Sequence, residues 1–102
     1  MTCMAAGMLV SEWTTEKLVH AAQRGDADAY SLLIARHRAL VFAYAFAQLR
    51  DREEAEDVAQ ETFVRAYLSL GRLRLAGGWQ PWLMRISRNL CHDALRRKRA
   101  RR

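Results

Sequence analysis

Proline occurs once in this chain of 102 residues, cysteine twice and glycine five times, and these scarcities exclude several kinds of protein. Cys3 and Cys91 have no CxxC spacing and make no disulfide framework, which fits reduced thiols in a cytoplasm. No stretch approaches the ~20 uncharged apolar residues of a membrane span. The opening MTCMAAGMLVSEW lacks the basic start and the full apolar run of a signal peptide. Alternating strand patterns of convincing length, internal repeats and low-complexity linkers are all missing ahead of the terminal RRKRARR. The Glu-x-x-His pairs of a di-iron bundle are missing too. His20, His37 and His92 are far apart in sequence, and the adjacent Cys91 and His92 would point about 100° apart on a helix. The sequence therefore asks for no catalytic residue, no metal and no cofactor, and His37 reads as a core or boundary histidine.

What remains is helical periodicity. With 51% of its residues apolar, the chain is long enough for one core and too short for two. Thr14 or Thr15 ahead of Glu16 starts a short helix with Leu18, Val19 and Ala22 on its apolar side, and Gly25 is placed to end it. Asp26 can cap a second, where Tyr30, Leu33, Ile34, His37, Leu40, Val41 and Tyr44 keep helical spacing to about Leu49. Asp51 and Glu54 form a D-x-x-E start for a third that runs to about Leu70. The glycine-containing GRLRLAGG then breaks the pattern as an ordered loop, and Trp79 and Pro81 open the last helix. The expected fold is all-α, a compact bundle of about four helices over residues 13–99, preceded by a flexible tail at 1–12 and followed by a basic linker starting at 100–102.

Two helices carry features that a buried core does not explain. On the third, Ala55, Val58, Ala59, Thr62, Phe63 and Ala66 make an ordinary core side. Asp57, Gln60, Glu61, Val64 and Leu68 gather opposite them, mixing carboxylates with aliphatics in the manner of a docking surface. The second feature is charge. Residues 1–70 sum to −3, whereas residues 71–102 hold ten Lys/Arg against one acid and sum to +9, so one end of the chain suits a polyanion, with nucleic acid ahead of a membrane surface. On the last helix Trp79, Leu83, Ile86, Leu90 and Ala94 form the apolar stripe. Arg85, Arg88, Asn89, His92, Arg96 and Arg99 come together about half a turn away. Arginine forks hold phosphates, an asparagine amide can read a base edge, and Trp82 beside them can stack on a base. The helix dipole accounts for Arg96 and Arg99 near the C-terminus but not for Arg85 and Arg88.

The segment EEAEDVAQETFVRAYLSL, followed after a loop by PWLMRISRNLCHDALRRKR, closely resembles region 2 of the extracytoplasmic-function (ECF) sigma factors, small bacterial initiation factors of the sigma-70 family. LVHAAQRGDADAYSLLIARHRALVFAYAFAQLRD is similar to the two helices that precede it there, and the likeness covers about residues 15–99. The resemblance implies that the D-x-x-Q-E matching Asp57, Gln60 and Glu61 docks on the clamp helices of the RNA polymerase β′ subunit, with Val64 and Leu68 adding apolar area. It also implies that the loop and last helix recognise the minus-ten promoter element by holding non-template bases turned out of the stack. Arg72, Arg74 and Trp79 of the loop, with Trp82, Arg85, Arg88, Asn89, His92, Arg96 and Arg99, would then be the DNA contacts, in a bacterial cytoplasmic protein. An anti-sigma factor, which holds many relatives inactive, is a further possible partner.

Two departures from the family qualify the expectation. A common family loop reads F-R-G-D-S-S-F before the tryptophan, whereas here Leu73, Arg74, Leu75, Ala76, Gly77 and Gly78 lead into Trp79, so the base pocket differs and the glycines suggest a loop that settles only around an extruded base. Full members also carry a second helical domain, region 4; none follows Arg102, and a fragment ending at the interdomain linker is expected ahead of a naturally short protein. The rival readings are a free-standing helix-turn-helix regulator, which needs a tighter turn than this loop, and a protein-interaction bundle.

Overall fold

Among the described residues, three of the four α-helices begin on a side-chain oxygen that the sequence supplies. In the computed structural model, which describes residues 12–101, Thr14 accepts a hydrogen bond from the amide of Lys17 at 3.1 Å, Asp26 from Ala29 at 3.1 Å and Asp51 from Glu54 at 2.9 Å. Each satisfies an amide that has no partner inside its helix. The helices so started are α1 (Thr15–Gln23), α2 (Ala27–Leu49) and α3 (Arg52–Leu68). α4 (Trp79–Ala100) follows two 3-10 turns, Leu70–Arg72 and Ala76–Gly78. It has no side-chain cap, and Pro81 in its first turn removes one amide that would otherwise need a partner. The architecture is the expected all-α bundle. The tail expected at 1–12 falls, apart from Glu12, outside the described residues, as does Arg102.

Helix ends follow local chemistry. Gly25 takes φ 99°, which lets its amide reach Ala22 O at 2.9 Å and the Asp26 amide reach Ala21 O at 3.0 Å, closing α1 with the paired reverse bonds of a left-handed cap. α2 ends on Arg50, which bears a side chain and yet sits in the left-handed region at φ 58°. The D-x-x-E start of α3 is only half a capping box. Asp51 caps as expected, but Glu54 turns away to meet Lys98 Nζ at 3.0 Å, tying the start of α3 to the end of α4. α3 stops at Leu68, and Leu70 belongs to the next turn, where it is buried.

α2 is the central element, packed against α1, α3 and α4. One core cluster joins Leu18, Val19 and Leu33 to Phe63, Trp79 and Leu83; a smaller one joins Ala45, Leu49, Ala55, Val58 and Cys91. The α4 stripe is centred differently from the expectation. Trp79, Leu83, Ser87 and Cys91, at four-residue steps, are its buried line, with Ile86, Leu90 and Ala94 half-buried beside it. The small side chains of Ser87, which is polar, and Cys91 gave this line little weight in the sequence pattern. Burial raises the Cys91 thiol pKa, against a smaller opposing effect of the Ser87 hydroxyl one turn earlier.

Arg50 yields a test of the local account. A left-handed conformation costs a side-chain-bearing residue about 1–2 kcal/mol, which glycine avoids while losing more chain entropy on folding. Arg50→Gly is therefore expected to stabilise the chain by about 0.5–1 kcal/mol, measured by urea denaturation; a loss of stability would contradict it.

Candidate nucleic-acid and protein interfaces

The basic ridge of α4 exists as a surface. Arg85, Arg88, Asn89, His92, Arg96 and Arg99 are all exposed, over about 21 Å of helix at 1.5 Å per residue. Because Leu83, Ser87 and Cys91 turn to the core, the helix is held with this side outward. The only acid of the basic segment, Asp93, pairs with Arg96, so Arg85 and Arg88 stand free of that carboxylate. Trp82 is half-buried, packed against the core with its ring tilted 6.0 Å from that of Trp79.

Trp79 departs from the expected contact set. It is wholly buried, meeting Tyr30 edge-on at 6.3 Å and His37 at 5.8 Å between ring centroids. It cannot touch DNA directly. Its part is to seat the start of α4. His37 is likewise a core residue, with Nδ1 2.9 Å from Leu33 O. The same nitrogen lies 3.5 Å from the Trp79 indole N–H, so it either donates to Leu33 O or accepts from Trp79, according to the tautomer. The Tyr30 hydroxyl donates to Phe63 O, and burial, with Tyr67 nearby, pushes its pKa far above the usual phenol value.

The loop is also more shaped than its glycines suggest. Leu73 and Ala76 are buried, both 3-10 turns are closed by backbone bonds, and the Gln23 side-chain amide of α1 donates to Leu70 O at 3.0 Å and to Leu73 O at 2.9 Å. Three buried side chains, counting Trp79, pin the loop to the core. Arg72, Arg74 and Leu75 point outward from it, and Leu75 is 76% exposed, an apolar face that the sequence reading passed over.

On α3 the expected docking residues divide into two groups. Gln60, Val64 and Leu68 line a groove of about 1010 Å³ between α2 and α3, whose other wall includes Tyr30, Ile34, Arg38 and Phe42. Asp57 and Glu61 stand exposed on the same helix outside that lining. Leu68 is 77% exposed and Val64 48%, which is unusual for aliphatics of a monomer when they sit together. Two features were not foreseen. Glu61 is already paired with Arg65 at 2.9 Å, and the groove contains the cations Arg38 and Arg52, the latter 5.8 Å over the Phe42 ring.

The α2 wall and Gln23 are what the sequence reading missed. For the wall a signal existed, since α2 carries apolar residues around its whole circumference, more than one core can cover. For Gln23 there was none, because a polar residue beside Arg24 looks like any solvated helix end. Among the described residues no three His, Cys, Asp or Glu side chains are grouped to hold a metal ion, and no helix is long and apolar enough to cross a membrane.

Comparison with known proteins identifies the family. The chain is 33% identical over 87 residues to the RNA polymerase sigma-H factor of Pseudomonas aeruginosa, covering 85% of the chain and 45% of the relative. It is 31% identical over 88 residues to the ECF RNA polymerase sigma factor SigW of Bacillus subtilis, covering 86% and 47%. It thus spans a little under half the length of these relatives. A solved structure of an engineered region 2 of sigmaE in complex with GTAAAA superposes with a TM-score of 0.81 and 29% identity, over 88% of this chain and 94% of that one. The family profile of sigma-70 region 2 matches residues 33–101, and the chain, with four helices in the matching arrangement, belongs to the sigma-70 region 2 family.

Proposed function

We propose that this chain is the part of a bacterial transcription initiation factor that docks on RNA polymerase core through α3 and reads the minus-ten promoter element with α4 and the loop before it. The observation that carries the DNA half is the exposed line Arg85, Arg88 and Asn89, aimed outward by the burial of Leu83, Ser87 and Cys91 on the same helix. The helix dipole does not explain cations this far from the C-terminus. The related sigmaE region 2 solved with GTAAAA supports the same reading.

Reading an unpaired strand means holding bases out of the stack, at a cost of a few kcal/mol. The arginines return part of it by holding phosphates, the exposed part of Trp82 and the Leu75 side chain offer apolar surface to a base, and the Asn89 amide supplies one donor and one acceptor to a base edge. A polymerase that holds the domain against the duplex supplies the remainder. The partner on α3 is the β′ clamp helices: the run from Ala27 to Phe42, roughly 22 Å at 1.5 Å per residue, is long enough to lay a helix along the groove. Asp57 stands free to meet a basic side chain, while Glu61 has first to exchange Arg65 for one. An anti-sigma factor that covered the same groove would block this docking.

Two measurements test the reading. Asn89→Ala is expected to relax base preference in single-stranded minus-ten oligonucleotides. Arg88→Ala should weaken all sequences alike and reduce the salt slope by about 0.7. Equal effects of both changes on every sequence would show that Asn89 reads no base. For docking, Asp57→Lys is expected to weaken binding to a β′ clamp-helix fragment by roughly 1–3 kcal/mol with stability changed by less than about 0.5 kcal/mol. Glu61→Lys sets a cation beside Arg65 and should in addition cost the helix about 0.2–0.5 kcal/mol. Unchanged affinity in both would remove α3 from the interface.

A further inference from the structure

The loop that meets DNA in this reading is held from one side by a helix with no part in either interface. α1 touches both of its turns. At the first, one amide group of Gln23 donates to two carbonyls, Leu70 O at 3.0 Å and Leu73 O at 2.9 Å, across separations of 47 and 50 residues. At the second, Glu16 lies so close that a side chain on Gly77 would place its Cβ 2.6 Å from Glu16 Oε2. Gly77 therefore lies against the tip of the exposed Glu16 side chain, which would have to swing aside for a larger residue.

We infer that Gln23 is a positioning residue for base recognition: its bifurcated amide sets the separation of the Leu70 and Leu73 carbonyls, and so the direction in which Arg72, Arg74 and Leu75 leave the loop. The proposal rests on the DNA reading above. The chemistry is specific to a double donor. Leu70 O also accepts the Leu73 amide at 3.2 Å, so the turn survives without Gln23, but the Leu73 carbonyl then has no hold on α1. The segment from Leu73 to Leu75 is the stretch between the two 3-10 turns, bonded to them only at its ends, through the Leu73 amide and the Leu75 carbonyl. Arg74 and Leu75 are both exposed there, which makes them the side chains most sensitive to a small rotation of the Leu73 peptide. Stability should be little affected, because Gln23 is exposed and the core residues around the loop keep their contacts.

The test compares Gln23→Ala, which removes the donors, Gln23→Glu, which faces a carboxylate to two carbonyl oxygens, and Gln23→Lys, which restores donors on a flexible stem. Two readouts are taken on the full 102-residue chain. One is amide hydrogen exchange at residues 71–78; the other is the affinity ratio between a single-stranded GTAAAA oligonucleotide and hexamers changed at one base. Gln23→Ala is expected to speed loop exchange about tenfold and reduce the largest affinity ratio about threefold to tenfold, with binding to an oligothymidylate unchanged. Gln23→Glu should reduce the ratio further and Gln23→Lys recover most of it. The lysine variant decides the matter even if the alanine variant melts too easily to assay. If the wild-type chain discriminates among hexamers and all three variants discriminate equally well, the positioning role is overturned, whatever the exchange rates. A wild-type chain that shows no preference at all would overturn the DNA reading itself and this proposal with it.

Discussion

The burial of Trp79 is the constraint on which the two outward surfaces depend. Its indole lies at the junction of α2, α4 and the loop, edge-on to Tyr30 and His37 and tilted against Trp82, and no part of it reaches solvent. A buried tryptophan cut back to alanine typically costs about 3–5 kcal/mol, against a whole-domain stability of ~5–15 kcal/mol. That anchor outweighs the caps and surface pairs at the other helix ends. It sits on the first residue of α4, a helix without a side-chain cap, and so does what a cap does elsewhere. It fixes where the helix starts and which way round it lies.

From that fixed start the rest of α4 follows in four-residue steps. Leu83, Ser87 and Cys91 turn inward behind Trp79, and the Arg85, Arg88 and Asn89 line has no other direction to take than outward. The far end is held separately, by Lys98 against Glu54. α2 is the common wall. Its inner residues cover Trp79, while Ile34, Arg38 and Phe42 form one side of the groove whose other side is α3. The proposed strand-reading face and the proposed docking groove therefore lie on different helices, α4 and α3, that both pack against α2. A charge change at Asp57 alters neither the seat of Trp79 nor the direction of the arginines.

Much of this was legible because the signals were local. Asp26, Asp51 and Thr14 announce helix starts through their own side chains, Gly25 announces an end, and the opposite faces of α3 can be counted off the sequence. What was not legible depends on tertiary contacts. Periodicity put Trp79 on the core stripe of α4 while the family resemblance put it among the DNA contacts, and the packing of Tyr30 and His37 from α2 against it decides for the core. Ser87 and Cys91 carried too little hydrophobic weight to mark the buried line of α4. The pairing of Glu61 with Arg65 competes with a partner that sequence alone leaves open, and the hold of Gln23 on the loop spans some fifty residues that no periodicity connects. The anchoring of the loop was hidden for the same reason: its glycines are visible, whereas the burial of Leu73 and Ala76 is not.

The central claim is that one small bundle carries two separate ligand surfaces, a strand-reading face on α4 and its preceding loop and a docking groove between α2 and α3. Amide chemical-shift mapping of the isotope-labelled chain titrated with single-stranded GTAAAA tests it most directly. The account requires shifts at residues 72–78 and along Arg85, Arg88, Asn89 and His92, with Gln60, Val64 and Leu68 unmoved. Shifts concentrated on the α3 residues, with the α4 ridge silent, would contradict it.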